Sequence, residues 1–101
     1  MFAFTTVEQY HTRLRDGSLT CSQAVEHYLQ RIEENRHLNA FIEVYGEEAM
    51  ARAQQLDEAR KSGHPTGKLH GVVIALKDVI CYQLHKVSAS SNILKGFSSL
   101  Y

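Results

Sequence analysis

The run VVIAL at residues 72–76 constrains the fold of this chain more than any other feature of its sequence. A continuous apolar run rich in β-branched residues is typical of a strand that is buried on both faces of a sheet. Lys77 and Asp78 end the run abruptly. A single strand cannot satisfy its backbone N–H and C=O groups inside a core, so it needs neighbouring strands. The sequence therefore predicts an α/β fold, of which these residues form the first core strand.

The residues before this run predict three helices. Thr5 and Glu8 have the spacing of a capping box at the start of the first helix, and Thr20 and Gln23 repeat it at the start of the second. A third helix is predicted over residues 47–62, which are rich in strong helix formers. Helices that precede a buried strand fit the beginning of a larger α/β domain.

The second helix carries an apolar stripe over residues 21–32, with apolar side chains at steps of three and four. Such a stripe packs into a core or forms a face that docks onto another protein. Cys21 belongs to it, and a cysteine in this position is most simply a small buried hydrophobic residue. The stripe thus leaves two alternatives open, a core helix and a helical interaction module.

The composition excludes several classes of protein. Eleven Lys and Arg balance eleven Asp and Glu, so the net charge is zero and no basic field attracts nucleic acid. No apolar run approaches the roughly 20 residues of a membrane span, and the first residues do not resemble a secretory signal. Cys21 and Cys81 match no disulfide or zinc pattern, and the six His have no metal-ligand spacing. We expect a cytoplasmic protein that binds no metal.

Lys77 is the first candidate for a catalytic residue. A lysine at the end of an apolar strand loses water around its ammonium group, which favours the neutral amine that can act as a base. The alternative is a solvated lysine that begins a surface loop. The pattern alone favours that alternative, because solvated lysines are far more common than buried ones.

The small polar residues SASS at positions 88–91 are the second candidate. Hydroxyl groups and a close approach of the backbone suit a substrate pocket, whereas an ordinary surface loop has the same composition. A nucleophilic serine needs a base within hydrogen-bond reach, and no G-x-S-x-G elbow is present to identify one. The pattern alone favours a surface loop.

Two stretches resemble the amidase signature family. GKLHGVVIALKD at residues 67–78 is similar to the G-x-L-x-G-V-P-I-A-I-K-D segment of that family. VSASSNILKGF at residues 87–97 is similar to its T-T-x-A-S-K-I-L-x-x-F stretch. The two together are specific, and the resemblance covers essentially the whole chain. Val73 stands where most members have Pro, and a Val restores the backbone donor that Pro lacks.

The resemblance implies a central mixed β-sheet wrapped by helices and a catalytic Ser–cis-Ser–Lys triad. It places the triad lysine at Lys77, as the general base that takes the proton of the nucleophile through the bridging serine. It also places Ser90 and Ser91 among the small residues beside the substrate pocket. The two triad serines belong to a Gly/Ser-rich signature that these residues lack. Residues 1–101 are therefore expected to be the N-terminal part of a single amidase domain, without a complete second domain, and inactive alone.

Within this family, the second stretch is most similar to the A subunits of the glutamyl-tRNA(Gln)/aspartyl-tRNA(Asn) amidotransferases. That similarity implies glutamine as substrate and subunits B and C as partners, with tRNA bound through the complex and not through this segment. It implies no cofactor on this segment, and ATP and Mg²⁺ at a partner subunit. The alternatives are another hydrolase of small amides in the same family, or a non-catalytic helical interaction module.

Overall fold

The computed structural model describes residues 5–78, 80–86 and 96–100 of the chain. Its regular elements are three α-helices and one short 3₁₀ turn. In chain order they are α1 (Val7–Arg15), α2 (Cys21–Glu34), the 3₁₀ turn (Arg36–Leu38) and α3 (Gly46–Lys61). Within the ranges described, no helix has the length and apolar character needed to cross a bilayer.

Helix α2 begins as the sequence predicts. The hydroxyl of Thr20 accepts a hydrogen bond from the backbone N–H of Gln23 at 3.1 Å. The side-chain oxygen of Gln23 accepts one from the backbone N–H of Thr20 at 3.0 Å. This reciprocal capping box satisfies two donors at the start of the helix, and residues 21–34 follow it without interruption.

Helix α1 begins one residue later than predicted. Thr6, not Thr5, is the N-cap, and its hydroxyl accepts from the backbone N–H of Gln9 at 3.1 Å. Thr5 donates its N–H and its hydroxyl to the side-chain oxygen of Gln9, at 2.8 and 2.9 Å. Glu8, the predicted partner of the cap, is not used. Each of the two adjacent threonines can act as a cap, and Gln9 bonds to both of them, to Thr6 through its backbone N–H and to Thr5 through its side-chain oxygen.

The core lies where the three helices meet, and α2 packs along α3. Its buried members are Tyr10, Leu14, Leu19, Cys21, Ala24, Val25 and Ala53. Further apolar side chains of α2 and α3 pack against this cluster, and so does Val72. Full burial of one large apolar side chain contributes about 1.5–3 kcal/mol, so the large members of this cluster are the main apolar contribution to holding the helices together.

The strand predicted over residues 72–76 is not found. These residues have no regular secondary structure, and no strand occurs in the part of the chain that the structure describes. Val72 is partly buried, whereas Ile74 is 70% exposed and Leu76 is 45% exposed. The physical reason is the absence of a partner: among these described residues no strand pairs with the backbone of 72–76, and β-branched composition alone does not create a strand. The α/β class is therefore not confirmed, and the observed architecture is helical.

Residues 84–86 and 98–99 form one short antiparallel contact. Lys86 and Ser98 make an isolated β-bridge. The backbone N–H of Leu84 donates to the carbonyl of Ser99 at 2.6 Å, and the N–H of Ser99 donates to the carbonyl of His85 at 2.9 Å. These bonds join residues 84–86 to residues 98–99, which lie on either side of positions 90 and 91 in the chain.

Candidate active site

Lys77 lies on the surface of this chain. Its backbone carbonyl accepts a hydrogen bond from the N–H of Ile80 at 2.9 Å, so the chain turns directly after it. The side chain is exposed, and Asp78 beside it is half-buried. The arrangement thus matches the solvated lysine that the pattern alone favours. The apolar side chains that could remove water from around the amine, Ile74 and Leu76, are exposed next to it.

Ser90 and Ser91, the predicted pocket residues, lie outside the described residues. The segments on either side of Lys77 are described, and each is anchored to a helix. One anchor precedes Lys77 at residues 70–71, and the other follows it at residues 82–86. The segment that carries Lys77 is therefore attached to a helix on each side of the lysine.

The anchor before Lys77 joins residues 70–71 to helix α1. The hydroxyl of Tyr10 donates to the backbone carbonyl of Gly71 at 2.7 Å. The Nε2 atom of His11 lies 2.8 Å from the carbonyl oxygen of His70, which accepts a hydrogen bond from it. Burial raises the pKa of Tyr10 well above its usual range, so its hydroxyl stays protonated and keeps donating. Two adjacent residues of α1 thus fix where the segment toward Lys77 begins.

Glycine is the one residue type that fits at position 71 of this anchor. Its φ is +69°, in the region that side chains with a Cβ rarely adopt. A Cβ built on it would lie 2.5 Å from Sγ of Cys21 and 2.8 Å from the hydroxyl oxygen of Tyr10. Both neighbours are fully buried, so neither can move aside easily. The sequence shows Gly71 as part of a motif, and only the structure shows that the motif glycine packs against α1 and α2.

Asp57 connects α3 to the start of α2. Its carboxylate accepts from the backbone N–H of Cys21 at 2.8 Å, and from the N–H and hydroxyl of Ser22 at 3.1 and 2.8 Å. Arg60 donates to it at 3.2 Å. Burial alone would raise the pKa of Asp57, but the hydrogen bonds from Cys21 and Ser22 lower it below its usual range. The aspartate is therefore a charged, fully paired cap on α2.

Sequence reasoning missed this cap. Asp57 is 6% exposed, and it follows the buried Ala53 by four residues on α3. An aspartate four residues after an apolar residue lies on the same face of its helix, and this spacing was the signal in the sequence that could have identified the cap. Cys21, whose N–H it binds, is buried as predicted, and burial raises the pKa of its thiol, so the thiol stays protonated. These groups hold the helices together rather than react.

The anchor after Lys77 joins residues 82–86 to helix α3. Tyr82 donates its hydroxyl to Oε1 of Glu48 at 2.9 Å, and Nε2 of His85 lies 2.7 Å from Oε2 of the same carboxylate. The rings of Tyr82 and His85 stack at 3.9 Å with an angle of 3° between their planes. Among the described residues, no group of three or more His, Cys, Asp or Glu comes together as a metal site.

Gly71→Ala is expected to destabilise the chain by about 2–5 kcal/mol, since it combines an unfavourable positive φ with overpacking against buried neighbours. Gly17→Ala is the matched control, because Gly17 has φ +82° but no atom lies within 4 Å of the position that a Cβ would take. It should cost only the backbone part, about 1–2 kcal/mol. Urea unfolding followed by circular dichroism measures both variants. Equal losses of stability for the two variants would show that Cys21 and Tyr10 leave enough room for a Cβ at position 71.

The comparisons with known proteins identify the family. A model described as Amidase matches residues 23–101. The A subunit of a glutamyl-tRNA(Gln) amidotransferase from Chlorobaculum tepidum is 43% identical over 98 residues, covering 97% of this chain and 20% of the relative. The protein of that name from Methanothermobacter thermautotrophicus is 43% identical over 89 residues, covering 87% of this chain and 20% of the relative. The one from Protochlamydia amoebophila is 37% identical over 102 residues, covering 100% and 21%.

These relatives are much longer than this chain, which spans about 20% of their length. No solved structure matches it. The family match begins within α2, at residue 23, and includes α3, Lys77 and the segments on both sides of Lys77. The chain belongs to the Amidase family.

Proposed function

We propose that this chain is the Lys77-bearing N-terminal segment of a glutamine-hydrolysing amidotransferase A subunit. The parent reaction converts glutamine and water to glutamate and ammonia, and the ammonia amidates misacylated Glu-tRNA(Gln) or Asp-tRNA(Asn). The observation that carries the proposal is similarity along almost the whole chain to relatives that bear the name of that subunit in both bacteria and an archaeon. Residues 1–101 then contribute part of a single amidase domain.

In this proposal Lys77 is the general base, and it acts on the nucleophile through a bridging serine. Ile74 and Leu76 expose apolar surface beside it. If strands from the rest of the domain covered these side chains, they would remove water from around the amine and favour its neutral form. Ser90 and Ser91 line the pocket for the amide. The two anchors, at residues 70–71 and 82–86, hold the Lys77 segment at both ends while leaving Lys77 itself accessible.

The partners follow from the same proposal. Subunits B and C complete the complex, and ATP with Mg²⁺ binds at a partner subunit rather than at this segment. The net charge of the chain is zero, which supports tRNA binding elsewhere in the complex, because binding to a phosphate backbone requires clustered Lys and Arg. The proposal assigns this segment two tasks, which are to supply the base and to line the pocket with Ser90 and Ser91.

The burial of the first half of the apolar stripe weakens the alternative of a non-catalytic interaction module, although Tyr28, Leu29 and Ile32 of its second half are only partly buried. Cys21, Ala24 and Val25 of the stripe are at most 7% exposed and belong to the core of this chain. A docking face needs those side chains on the surface. The other alternative, a hydrolase of small free amides, uses the same lysine and differs only in substrate.

A chimera tests the proposed function. Residues 1–101 replace the matching part of the Chlorobaculum tepidum relative, and ammonia release is measured with glutamine and with a small free amide such as propionamide. We expect release from glutamine well above release from the small amide, and none from the 101-residue chain alone. If a folded chimera hydrolyses the small amide better than glutamine, a hydrolase of small free amides would replace the amidotransferase as the proposed function. A folded chimera that releases no ammonia from either would refute both.

A further inference from the structure

The ring of His85 contacts a hydrogen-bond acceptor at each of its two nitrogens. Nε2 lies 2.7 Å from Oε2 of Glu48, and Nδ1 lies 2.7 Å from the backbone carbonyl oxygen of Gln83. A neutral imidazole has only one N–H, so it can donate to only one of these two oxygens. An ionised Glu48 carboxylate can only accept, and so can the carbonyl of Gln83, so both contacts are then hydrogen bonds only if both nitrogens carry a proton. Beside an ionised Glu48, the geometry therefore favours the positively charged form of His85.

The surroundings of His85 also favour a positive charge. Tyr82 stacks on one side of the ring at 3.9 Å, and Tyr45 meets it edge-on at 4.4 Å. A cation that lies against an aromatic ring is attracted to the electrons of its face. The side chain of His85 is only 15% exposed, so these contacts form in partial isolation from water. Tyr82 and His85 each contact a different oxygen of the Glu48 carboxylate.

We propose that protonated His85 is a pH-dependent latch that fastens residues 82–86, the segment that follows Lys77, to helix α3. The latch has three parts on different elements: Glu48 on α3, Tyr45 directly before α3, and the Tyr82–His85 pair on the segment. Loss of one ring proton leaves one of the two oxygens without a donor and removes the ion pair with Glu48. The inference does not depend on the proposed function, since it concerns the attachment of a segment and not a reaction.

The charged groups around the latch set the direction of its pH dependence. Glu48 is the acidic group in contact with His85, while Glu43 and Asp78 act on Tyr45 and Arg52 acts on Tyr82. Lys86, exposed, is next to His85 in the chain. The hydrogen bond to Glu48 raises the pKa of His85, and the hydrogen bonds from His85 and Tyr82 lower the pKa of Glu48.

The sign of the effect follows from linkage. A histidine whose pKa is raised on folding adds stability below its unfolded pKa, and that stability is lost as pH rises through the folded value. A glutamate whose pKa is lowered adds stability above its unfolded pKa, and that stability is lost as pH falls through the folded value. The latch is therefore closed in a window between the folded pKa of Glu48 and that of His85, and it opens on the alkaline side when His85 loses its proton.

Residues 84–86, which the latch holds against α3, also pair with residues 98–99, on the other side of positions 90 and 91 in the chain. The turn after Lys77 lies on the other side of Tyr82 along the chain. Deprotonation of His85 removes its ion pair with Glu48, while the hydrogen bond from Tyr82 to Glu48 and the pairing of residues 84–86 with residues 98–99 remain.

A titration of the full chain by NMR tests the latch. The chemical shifts of the two ring nitrogens of His85 report their protonation, and cross-relaxation between the His85, Tyr82 and Tyr45 rings reports their contact. We expect both nitrogens to be protonated in the closed state, and His85 to lose its proton at higher pH than in the same chain unfolded in urea. The ring contacts should disappear with the same midpoint.

Two glutamate variants provide the matched comparison. Glu48→Gln removes the charge and keeps the shape, so it should lower the pH at which His85 loses its proton. Glu47→Gln changes the neighbouring, exposed glutamate of the same helix turn and should leave that pH unchanged. Three results would each overturn the proposal: a folded-state midpoint no higher than the unfolded one, equal effects of the two variants, or ring contacts that persist after deprotonation. The wild-type titration decides the matter even if a variant fails to fold.

Discussion

Lys77→Arg is expected to abolish glutamine hydrolysis by the chimera that contains this chain, with a loss of about 10⁴-fold or more, the size of effect seen when a catalytic triad loses a member. The variant keeps the positive charge and much of the length of the side chain. A guanidinium stays protonated at any pH at which the enzyme works, so it cannot accept the proton of a nucleophile. Lys77→Ala should lose as much activity, because no acceptor then remains beside the bridging serine.

The structure explains why neither change should damage the folding of these 101 residues. Lys77 is exposed, and the hydrogen bond that closes the turn after it is made by its backbone carbonyl, which both variants keep. Exposed substitutions away from the core usually change stability by less than about 0.5 kcal/mol. A structural lysine would give the opposite pattern, with Arg tolerated and Ala lowering the melting temperature.

Lys68→Arg is the matched control for this experiment. Lys68 is exposed and belongs to the same motif, nine positions before Lys77. Ammonia release from glutamine and melting temperature are measured for all three variants. Lys68→Arg should retain activity, whereas near-normal activity in Lys77→Arg would end the assignment of Lys77 as general base.

The helices could be predicted from the sequence because their signals are local. The start of α2 follows from Thr20 and Gln23, which are three residues apart and satisfy each other. The predicted third helix, residues 47–62, differs from the observed Gly46–Lys61 by one residue at each end. Capping, spacing and propensity act within one or two turns, and they have the same effect in a short segment as in a whole domain.

The region around Lys77 could not be predicted in this way. A strand over residues 72–76 depends on a neighbour that local sequence does not contain, and in this chain the run stays irregular. The anchor at Gly71 depends on Tyr10, 61 positions earlier, and the cap from Asp57 reaches a residue 36 positions earlier. Contacts at such separation are determined by tertiary packing, which periodicity does not reveal. The resemblance to a family located the motif, and the structure shows what holds the motif in place.

Asp57→Ala is expected to lower the free energy of unfolding by about 3–5 kcal/mol, the range for removing one partner of a buried charged pair. The reason is that one side chain satisfies three donors at the start of α2 and pairs with Arg60. Without it, the N–H groups of Cys21 and Ser22 lose their partners and Arg60 remains partly buried without its carboxylate. Small domains are stable by only about 5–15 kcal/mol, so this loss is a large fraction of the total.

Urea unfolding followed by circular dichroism at several pH values measures the effect. Hydrogen bonds hold the pKa of Asp57 below its usual range, so its contribution is complete above the unfolded pKa of about 4 and is lost as pH falls through the folded value. The wild-type chain should therefore lose stability in acid more steeply than Asp57→Ala does. Asp57→Asn keeps the shape and one acceptor, so it should fall between the two.

Glu58→Ala separates the cap from a general effect of losing acidic charge. Glu58 is the next residue of α3, its side chain is 77% exposed, and its ion pair with Lys61 spans 3.9 Å. An exposed pair of this kind contributes about 0–1 kcal/mol, so the control should stay near wild type with an unchanged pH profile. If Asp57→Ala were no less stable than Glu58→Ala, α2 would be held by its Thr20–Gln23 box and its apolar contacts alone. The link from α3 through Cys21 to the anchor at Gly71 would then carry no stability.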